Sequence, residues 1–357
     1  MANTPKRLLI AASGTGGHLF PALAVAKQLS DYHIEWLGVP NRLETQLVPQ
    51  QYKLNVISVE GFQKGLGFAS LLTFGKLIAA VARVRKLLKQ GQFQGVFTTG
   101  GYIAGPAVMA ARSLGIPVIL HESNAFPGKV TRFFGPWCSA VALGFREAAK
   151  YLPRVKTVYT STPVRPQFWQ EGIEATLDLP IPENVFLIVA FGGSQGAVAI
   201  NNLVRQCAKA WFDAGAWVVH LTGDNDPQAN SLQHPQYISL PFYNNMAALL
   251  RRANLAISRS GAGSLAELAA CGTPAILIPY PFAAEDHQTY NAKVFTSAGA
   301  ALMFPQSQVS PHLLQTEVLR LLNSPPQLQA MREKAKAIAT FDSAEKLAQL
   351  VREVVER

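Results

Sequence analysis

The segment Leu255–Pro279 leaves this chain few folds to choose from. Leu255–Ile257 is a short apolar run, as expected of a strand buried on both faces. Ser258–Gly263 is small and polar, and Ser264 then opens an Ala- and Leu-rich helix as an expected N-cap, with Glu267 three residues on to close a capping box. Gly272 ends that helix, Pro274 follows, and Ala275–Ile278 reads as the next strand. A strand, a small-residue turn and a helix N-terminus make a place for an anion, because first-turn N–H groups and the helix dipole favour phosphate. Glu267 either accepts hydrogen bonds from a ribose there or only closes the capping box.

The same pattern recurs along the chain. Arg7–Ala12 is a strand, Ser13-Gly-Thr-Gly-Gly-His18 a turn, and Leu19–Leu29 a helix. The dinucleotide fingerprint is incomplete, since Leu19 stands at the third glycine position and the strand His33–Leu37 ends at Gly38 without an acid. Nicotinamide binding is therefore poorly supported, but room for an anionic group at the helix N-terminus is not. The positive end of that helix disfavours an imidazolium, so His18 is a candidate general base; the plainer alternative is a histidine packed over the turn.

Further strands are expected at Leu54–Val59, Gly95–Thr98 and Pro117–Leu120, and helices at 69–90 and 106–114. His121-Glu-Ser-Asn124 falls at a strand's carboxyl end, where open α/β sheets bind ligands. Beyond the proline-marked linker Thr160–Pro166, a second series begins: strand Val185–Phe191, loop Gly192-Gly-Ser-Gln-Gly196, helix Ala197–Ala214, strand Trp217–Thr222. The expected fold class is α/β, two tandem Rossmann-like parallel-sheet domains.

Charge is distributed unevenly between them. Residues 1–160 hold 18 Lys and Arg against 6 Asp and Glu, whereas residues 161–357 hold 14 against 16. The basic excess belongs to the first half and points to an anionic partner: nucleic acid, a membrane surface or a phosphorylated substrate. Phe62, Leu66 and Phe68 beside Lys64, with Arg83, Arg85 and Lys86 on the following helix, have the composition of a surface that rests on anionic lipid; an ordinary core helix with a basic end is the alternative. The longest apolar stretch, Leu66–Ala82, includes Lys76 and falls short of a membrane span. The N-terminus runs into the first strand and leaves no room for a signal peptide. Cys138, Cys207 and Cys271 are scattered without metal spacing, as in a reducing compartment. Asp224-Asn-Asp226 could hold a divalent cation, but Pro227 marks it as an acidic turn, and no metal is expected.

Taken in order, Gly14-Thr-Gly-Gly-His-Leu-Phe-Pro-Ala-Leu-Ala24, Gly100-Gly-Tyr102 with Gly105-Pro106, His121-Glu122 with Asn124, Pro163-Val-Arg165, Gly192-Gly-Ser-Gln-Gly-Ala197 and Ser258-Arg-Ser-Gly-Ala262 through Glu267 make the chain resemble the MurG glycosyltransferases. The resemblance implies the glycosyltransferase B fold, two domains with a cleft between them. An acceptor- and membrane-facing domain would span residues 1–162, with 343–357 packing back on it, and a donor domain 163–342.

It also implies inverting transfer of N-acetylglucosamine from UDP-N-acetylglucosamine to the 4-hydroxyl of the lipid I acceptor, N-acetylmuramoyl-pentapeptide on undecaprenyl pyrophosphate. The enzyme would be peripheral on the cytoplasmic face of the cell membrane. Donor contacts carry over to Thr15, Gly16, Gly17, Asn124, Arg165, Ser194, Glu267 and Gln288, with Tyr243 and Ala262, Gly263, Ser264, Leu265 and Ala266 near uracil and ribose. His18 is the expected base and Glu122 the runner-up. Ser194 and the helix N-termini would hold the diphosphate without metal or cofactor, and the anionic partner becomes lipid, not nucleic acid. Two positions depart from the family pattern, Ser123 for its usual Gln and Thr162 for its usual Asn. A related transferase acting on diacylglycerol, and a non-catalytic nucleotide-sugar-binding subunit, are the rival readings.

Overall fold

The computed structural model describes residues 5–48, 52–59, 68–170, 177–193 and 196–356, with residues 68–74 described in backbone only. The chain divides into two compact units, Met1–Pro163 with Asp342–Arg357, and Val164–Phe341.

The first unit is built on a seven-stranded, wholly parallel sheet. Its strands are β1 (Lys6–Ala11), β2 (Tyr32–Gly38), β3 (Lys53–Val56), β4 (Gly95–Thr98), β5 (Val118–Glu122), β6 (Ala140–Leu143) and β7 (Thr157–Tyr159), in the order β3-β2-β1-β4-β5-β6-β7. Strand β1 from Leu8 onward, and β4, β5 and β6 throughout, are buried because helices cover both faces. One face packs helix Gly16–Gln28 and its C-cap, through Leu19, Val25 and Leu29, with Leu347, Val351 and Val354 of helix Ser343–Val355. Arg352 fixes that last helix by pairing with Asp31 at 2.7 Å and donating to the Gln28 carbonyl at 2.8 Å. Gly95 admits it: a Cβ there would stand 2.5 Å from Val355 Cγ2. The other face packs helices Phe68–Gln90 and Ala104–Ser113, through Ala80, Val84 and Leu88 against Ala107, Val108 and Ala111.

The second unit has a six-stranded parallel sheet of β8 (Leu187–Phe191), β9 (Trp217–Leu221), β10 (Tyr237–Leu240), β11 (Leu255–Ser258), β12 (Ala275–Leu277) and β13 (Ala301–Met303), in the order β10-β9-β8-β11-β12-β13. Its core joins Ile188, Val218, Ile257 and Ile276 to Ile200, Val204 and Trp211 of helix Val198–Asp213. Both sheets reverse their strand order at one point, between β1 and β4 and between β8 and β11. The loops following those four strands are the glycine-rich ones, at the place where open parallel sheets receive ligands.

Candidate functional site

In the first unit the turn after β1 is shorter than the sequence suggests. Helix Gly16–Gln28 begins three residues earlier than expected, so Gly16, Gly17 and His18 form its first turn and Thr15 is its N-cap, with no side-chain cap. His18 is half-buried, and its Nδ1 lies 2.7 Å from the Thr99 carbonyl oxygen in the glycine loop after β4. A carbonyl only accepts, so Nδ1 carries the proton and Nε2 is left with its lone pair. The Nε2 edge faces Gly101, whose Cβ position would be 3.8 Å away.

An anion does stand at this loop, and it belongs to the protein. Glu44, fully buried, accepts from the Gly14 N–H at 3.2 Å with Oε2 and from the Val39 N–H at 2.7 Å with Oε1. Glu44 thus takes the Gly14 N–H, ahead of the helix N-terminus at Gly16 where room for an anionic group is expected. Nothing around Glu44 in sequence announces the role, since its partners are thirty residues back and five residues back.

Strand β5 runs two residues further than expected and carries His121 and Glu122 within it. Glu122 Oε1 accepts from Asn124 N (2.9 Å) and Nδ2 (3.1 Å), and Oε2 accepts from Gly128 N (3.0 Å) and Thr131 Oγ1 (2.5 Å). The carboxylate thus anchors the loop that follows it, and Asn124 is held in place by it. His121 is fully buried; Nε2 donates to the Ser161 carbonyl at 3.1 Å, leaving Nδ1 3.3 Å from the Ser123 hydroxyl. Burial pushes its pKa down to about 4, with nearby His18 adding to the effect, so it stays neutral. Thr162, the other departure from the family pattern, is buried and its hydroxyl finds no partner among the described residues.

In the second unit the capping box is absent. Helix Ala262–Cys271 starts at Gly261, which is its N-cap and makes no side-chain cap; Ser264 lies inside the first turn, and Gly272 closes the helix in the left-handed region (φ 63°). The Ser-x-x-Glu pattern misplaces the start because Gly261, with extended backbone (φ −64°, ψ 139°), takes the cap three residues sooner. Glu267 is thereby released for another partner. The Arg165 guanidinium approaches it at 3.4 Å, while Arg165 also lies over the Phe168 ring. Burial pushes the Glu267 carboxyl up to about 7, against the pull of Arg165.

The turn ahead of this helix is fixed by neutral groups. Gln288 Oε1 accepts from Ser260 N at 3.3 Å and Tyr280 N at 2.9 Å, and Asn291 Nδ2 donates to the Ser260 carbonyl at 3.1 Å. Arg259 donates to the Ile278 and Pro279 carbonyls behind it. Leu265 is buried, and Ala262, Gly263 and Ala266 complete the turn around it. Among the described residues, a Cβ on Gly193, Gly261 or Gly263 would meet no atom within 4 Å. The Tyr243 ring is buried, and its hydroxyl donates to the Asp178 carboxylate, which together with burial pushes its pKa up to about 12.

The Asp-x-Asp turn is a corner post. Asp226 is buried, pairs with Arg205 at 2.8 Å, and accepts from Asn201 Nδ2 at 2.7 Å and Gln228 N at 3.0 Å. Asn201 in turn donates to the Thr222 carbonyl and accepts from His220 Nε2. Ser194, Phe62, Lys64 and Leu66 lie outside the described residues, and Phe68 is described only as the first residue of a helix backbone. Arg83, Arg85 and Lys86 are exposed on that helix. No described helix is long and apolar enough to cross a membrane.

Residues 8–143 match the glycosyltransferase family 28 N-terminal domain and residues 187–349 the family 28 C-terminal domain. A UDP-N-acetylglucosamine–N-acetylmuramyl-(pentapeptide) pyrophosphoryl-undecaprenol N-acetylglucosamine transferase from Nostoc punctiforme is 74% identical over 356 residues, covering 100% of both chains. The Synechocystis protein of the same name is 59% identical over 353 residues, covering 99% of each. Among solved structures, Acinetobacter baumannii MurG superposes with a TM-score of 0.79 at 30% identity, over 98% of this chain and 100% of that one.

Proposed function

This chain belongs to the MurG family of glycosyltransferases, and from that premise we propose that it moves N-acetylglucosamine from UDP-N-acetylglucosamine to the 4-hydroxyl of N-acetylmuramoyl-pentapeptide on undecaprenyl pyrophosphate, the lipid I to lipid II step of peptidoglycan synthesis. The acceptor oxygen attacks the anomeric carbon, the bond from that carbon to the diphosphate oxygen breaks, and UDP leaves with the electron pair on the opposite face. The sugar inverts.

The observation that carries the chemistry is the fixed tautomer of His18. With Nδ1–H committed to the Thr99 carbonyl, Nε2 is the atom that takes the acceptor's proton. Glu122, whose oxygens already accept four hydrogen bonds, keeps the Asn124 loop in place instead of acting as base. For the donor, Glu267 accepts from the ribose hydroxyls, and the uncapped N-terminus at Gly261 together with the glycine loop after β8 holds the diphosphate. Thr15, Gly16, Gly17, Asn124, Arg165, Ser194, Tyr243 and Gln288 complete the donor set by family correspondence.

The acceptor's isoprenoid stays in the bilayer, so the first unit rests on the membrane surface, on its cytoplasmic face. Exposed Arg83, Arg85 and Lys86 supply attraction to anionic lipid at about 1 kcal/mol each. Helix Ala104–Ser113 joins their helix to a second face where Phe133 and Trp137 are exposed beside Lys129 and Arg132. Radiolabelled transfer by the purified protein, with a lipid I analogue and diacylglycerol offered in separate vesicles, tests the reading. Label should enter the lipid I analogue alone. Label in diacylglycerol, or donor hydrolysis without transfer, overturns it.

A further inference from the structure

Among the described residues of the first unit, Glu44 is the one fully buried carboxylate that touches a glycine loop, and the reaction as written above does not use it. It projects from a four-residue helical turn, Glu44–Leu47, after β2, and its two oxygens bind N–H groups of different strand ends. Val39 follows β2 and Gly14 follows β1, so the carboxylate staples two neighbouring strands' exits together. Nearby contacts stiffen the same corner. Trp36 Nε1 donates to the Ala12 carbonyl at 2.8 Å, and Ala12 N donates to the Leu37 carbonyl at 3.3 Å. From Gly14 the chain has one residue left, Thr15, before the helix that carries His18 in its first turn; His18 N donates to the Thr15 carbonyl at 3.0 Å.

The path to the carboxylate is kept open by Gly38. A Cβ on Gly38 would lie 2.8 Å from Glu44 Cγ and 3.1 Å from Glu44 Oε1, closer than the side chain can tolerate where it stands.

We propose that Glu44 is a positioning residue for the transfer: by fixing the Gly14 N–H it sets where the helix Gly16–Gln28 begins and hence where His18 Nε2 points. The inference rests on His18 being the base. It goes further in assigning the base's aim to a residue twenty-six positions away that touches no substrate.

The test is a double-mutant cycle between Glu44→Gln and His18→Ala, read as kcat and donor KM with a soluble lipid I analogue. A displacement of about 1 Å at a reacting group costs on the order of 100-fold in rate. Glu44→Gln is therefore expected to lower kcat roughly 10- to 100-fold, with donor KM within about twofold. In the His18→Ala background the same change should do almost nothing further. Gly38→Ala keeps the carboxylate but crowds it, and serves where Glu44→Gln proves unstable; it should also lower kcat and spare donor KM. Equal losses with and without His18, or an unchanged kcat in Gly38→Ala, overturn the role of Glu44. A His18→Ala enzyme that retains full kcat overturns instead the assignment of the base, and the cycle tells the two failures apart.

Discussion

The turns after β1 and β11 are the same device put to opposite use. Each follows a central strand at a sheet's reversal point, is built from glycine and small polar residues, and opens a helix whose N-cap makes no side-chain hydrogen bond. In the first, the backbone N–H of Gly14 is held by a carboxylate and the helix's first turn carries an imidazole. In the second, the backbone N–H of Ser260 is held by the amide oxygen of Gln288, a neutral group, and the acid lies deeper, at Glu267. The first turn thus presents an imidazole for proton transfer, while the second, clamped by a neutral amide, leaves its helix dipole free to attract a diphosphate.

That contrast is open to direct attack, starting with the base. His18→Ala should lower kcat by about 100- to 10,000-fold and leave donor KM nearly unchanged. A matching rise in donor KM would assign His18 to donor binding instead of proton transfer and erase the difference between the two.

Next in size is the Asp-x-Asp turn after β9 in the second unit. Asp224 is exposed and Asp226 buried against Arg205, so Asp224→Asn should be silent, while Asp226→Asn should cost about 3–5 kcal/mol of stability by stranding a buried guanidinium. Chemical denaturation of both variants decides this; a destabilised Asp224→Asn with an unaffected Asp226→Asn would restore the turn as a ligand site.

Glu267→Ala should raise donor KM about 10- to 1000-fold, the loss of one or two charge-assisted bonds at ~1.5–3 kcal/mol each. Because burial holds the carboxyl at about 7, it is protonated below that pH and loses acceptor capacity. Donor KM should then climb as pH falls through 7, by at most about tenfold per unit, and Glu267→Gln should flatten the profile. A wild-type KM level from pH 8 to pH 6 would remove the ribose from this residue.

The smallest expected effect is one that the two units share. His121 in the first and His220 in the second are buried and neutral, each pushed down to about 4 chiefly by burial. The unfolded chain takes up these protons first, so stability is full above pH 6.5 and drains as pH falls toward 4, by up to about 3 kcal/mol per histidine. Urea midpoints at pH 7 and pH 4.5 should fall for both units; a midpoint that holds in one unit alone would show that its histidine ionises in place.

Much of this was legible in the sequence because it depends on neighbours in sequence. The run Gly95–Thr98 coincides with β4, and the alternation of apolar runs with glycine turns yields two parallel sheets. Residues that act through distant partners left no such trace. Glu44 sits in a stretch without motif, and only its reach to Gly14 gives it meaning. Arg165 and Glu267 meet across more than a hundred residues. Where local pattern misleads, at Ser264, a second residue able to cap stands three places earlier and needs no side chain to do so. The Asp-x-Asp stretch reads as an acidic turn, but the arginine buried against Asp226 comes from a helix twenty-one residues before it and has no local signal.

The way helix Ser343–Val355 closes the first unit has a consequence for how the protein is made. The apolar face formed by Leu19, Val25 and Leu29 receives its cover from Leu347, Val351 and Val354, which follow the whole of Val164–Phe341 in the chain. On the ribosome, therefore, the first unit emerges early and waits, its sheet formed but one side uncovered, while the second is synthesised and able to fold on its own. A translation arrest anywhere in the second unit leaves that side bare and exposes an aggregation-prone surface to chaperones and proteases. The chain's last helix thus marks finished products from abandoned ones, and a stop codon before Ser343 should send the whole polypeptide to degradation even though both sheets are encoded intact.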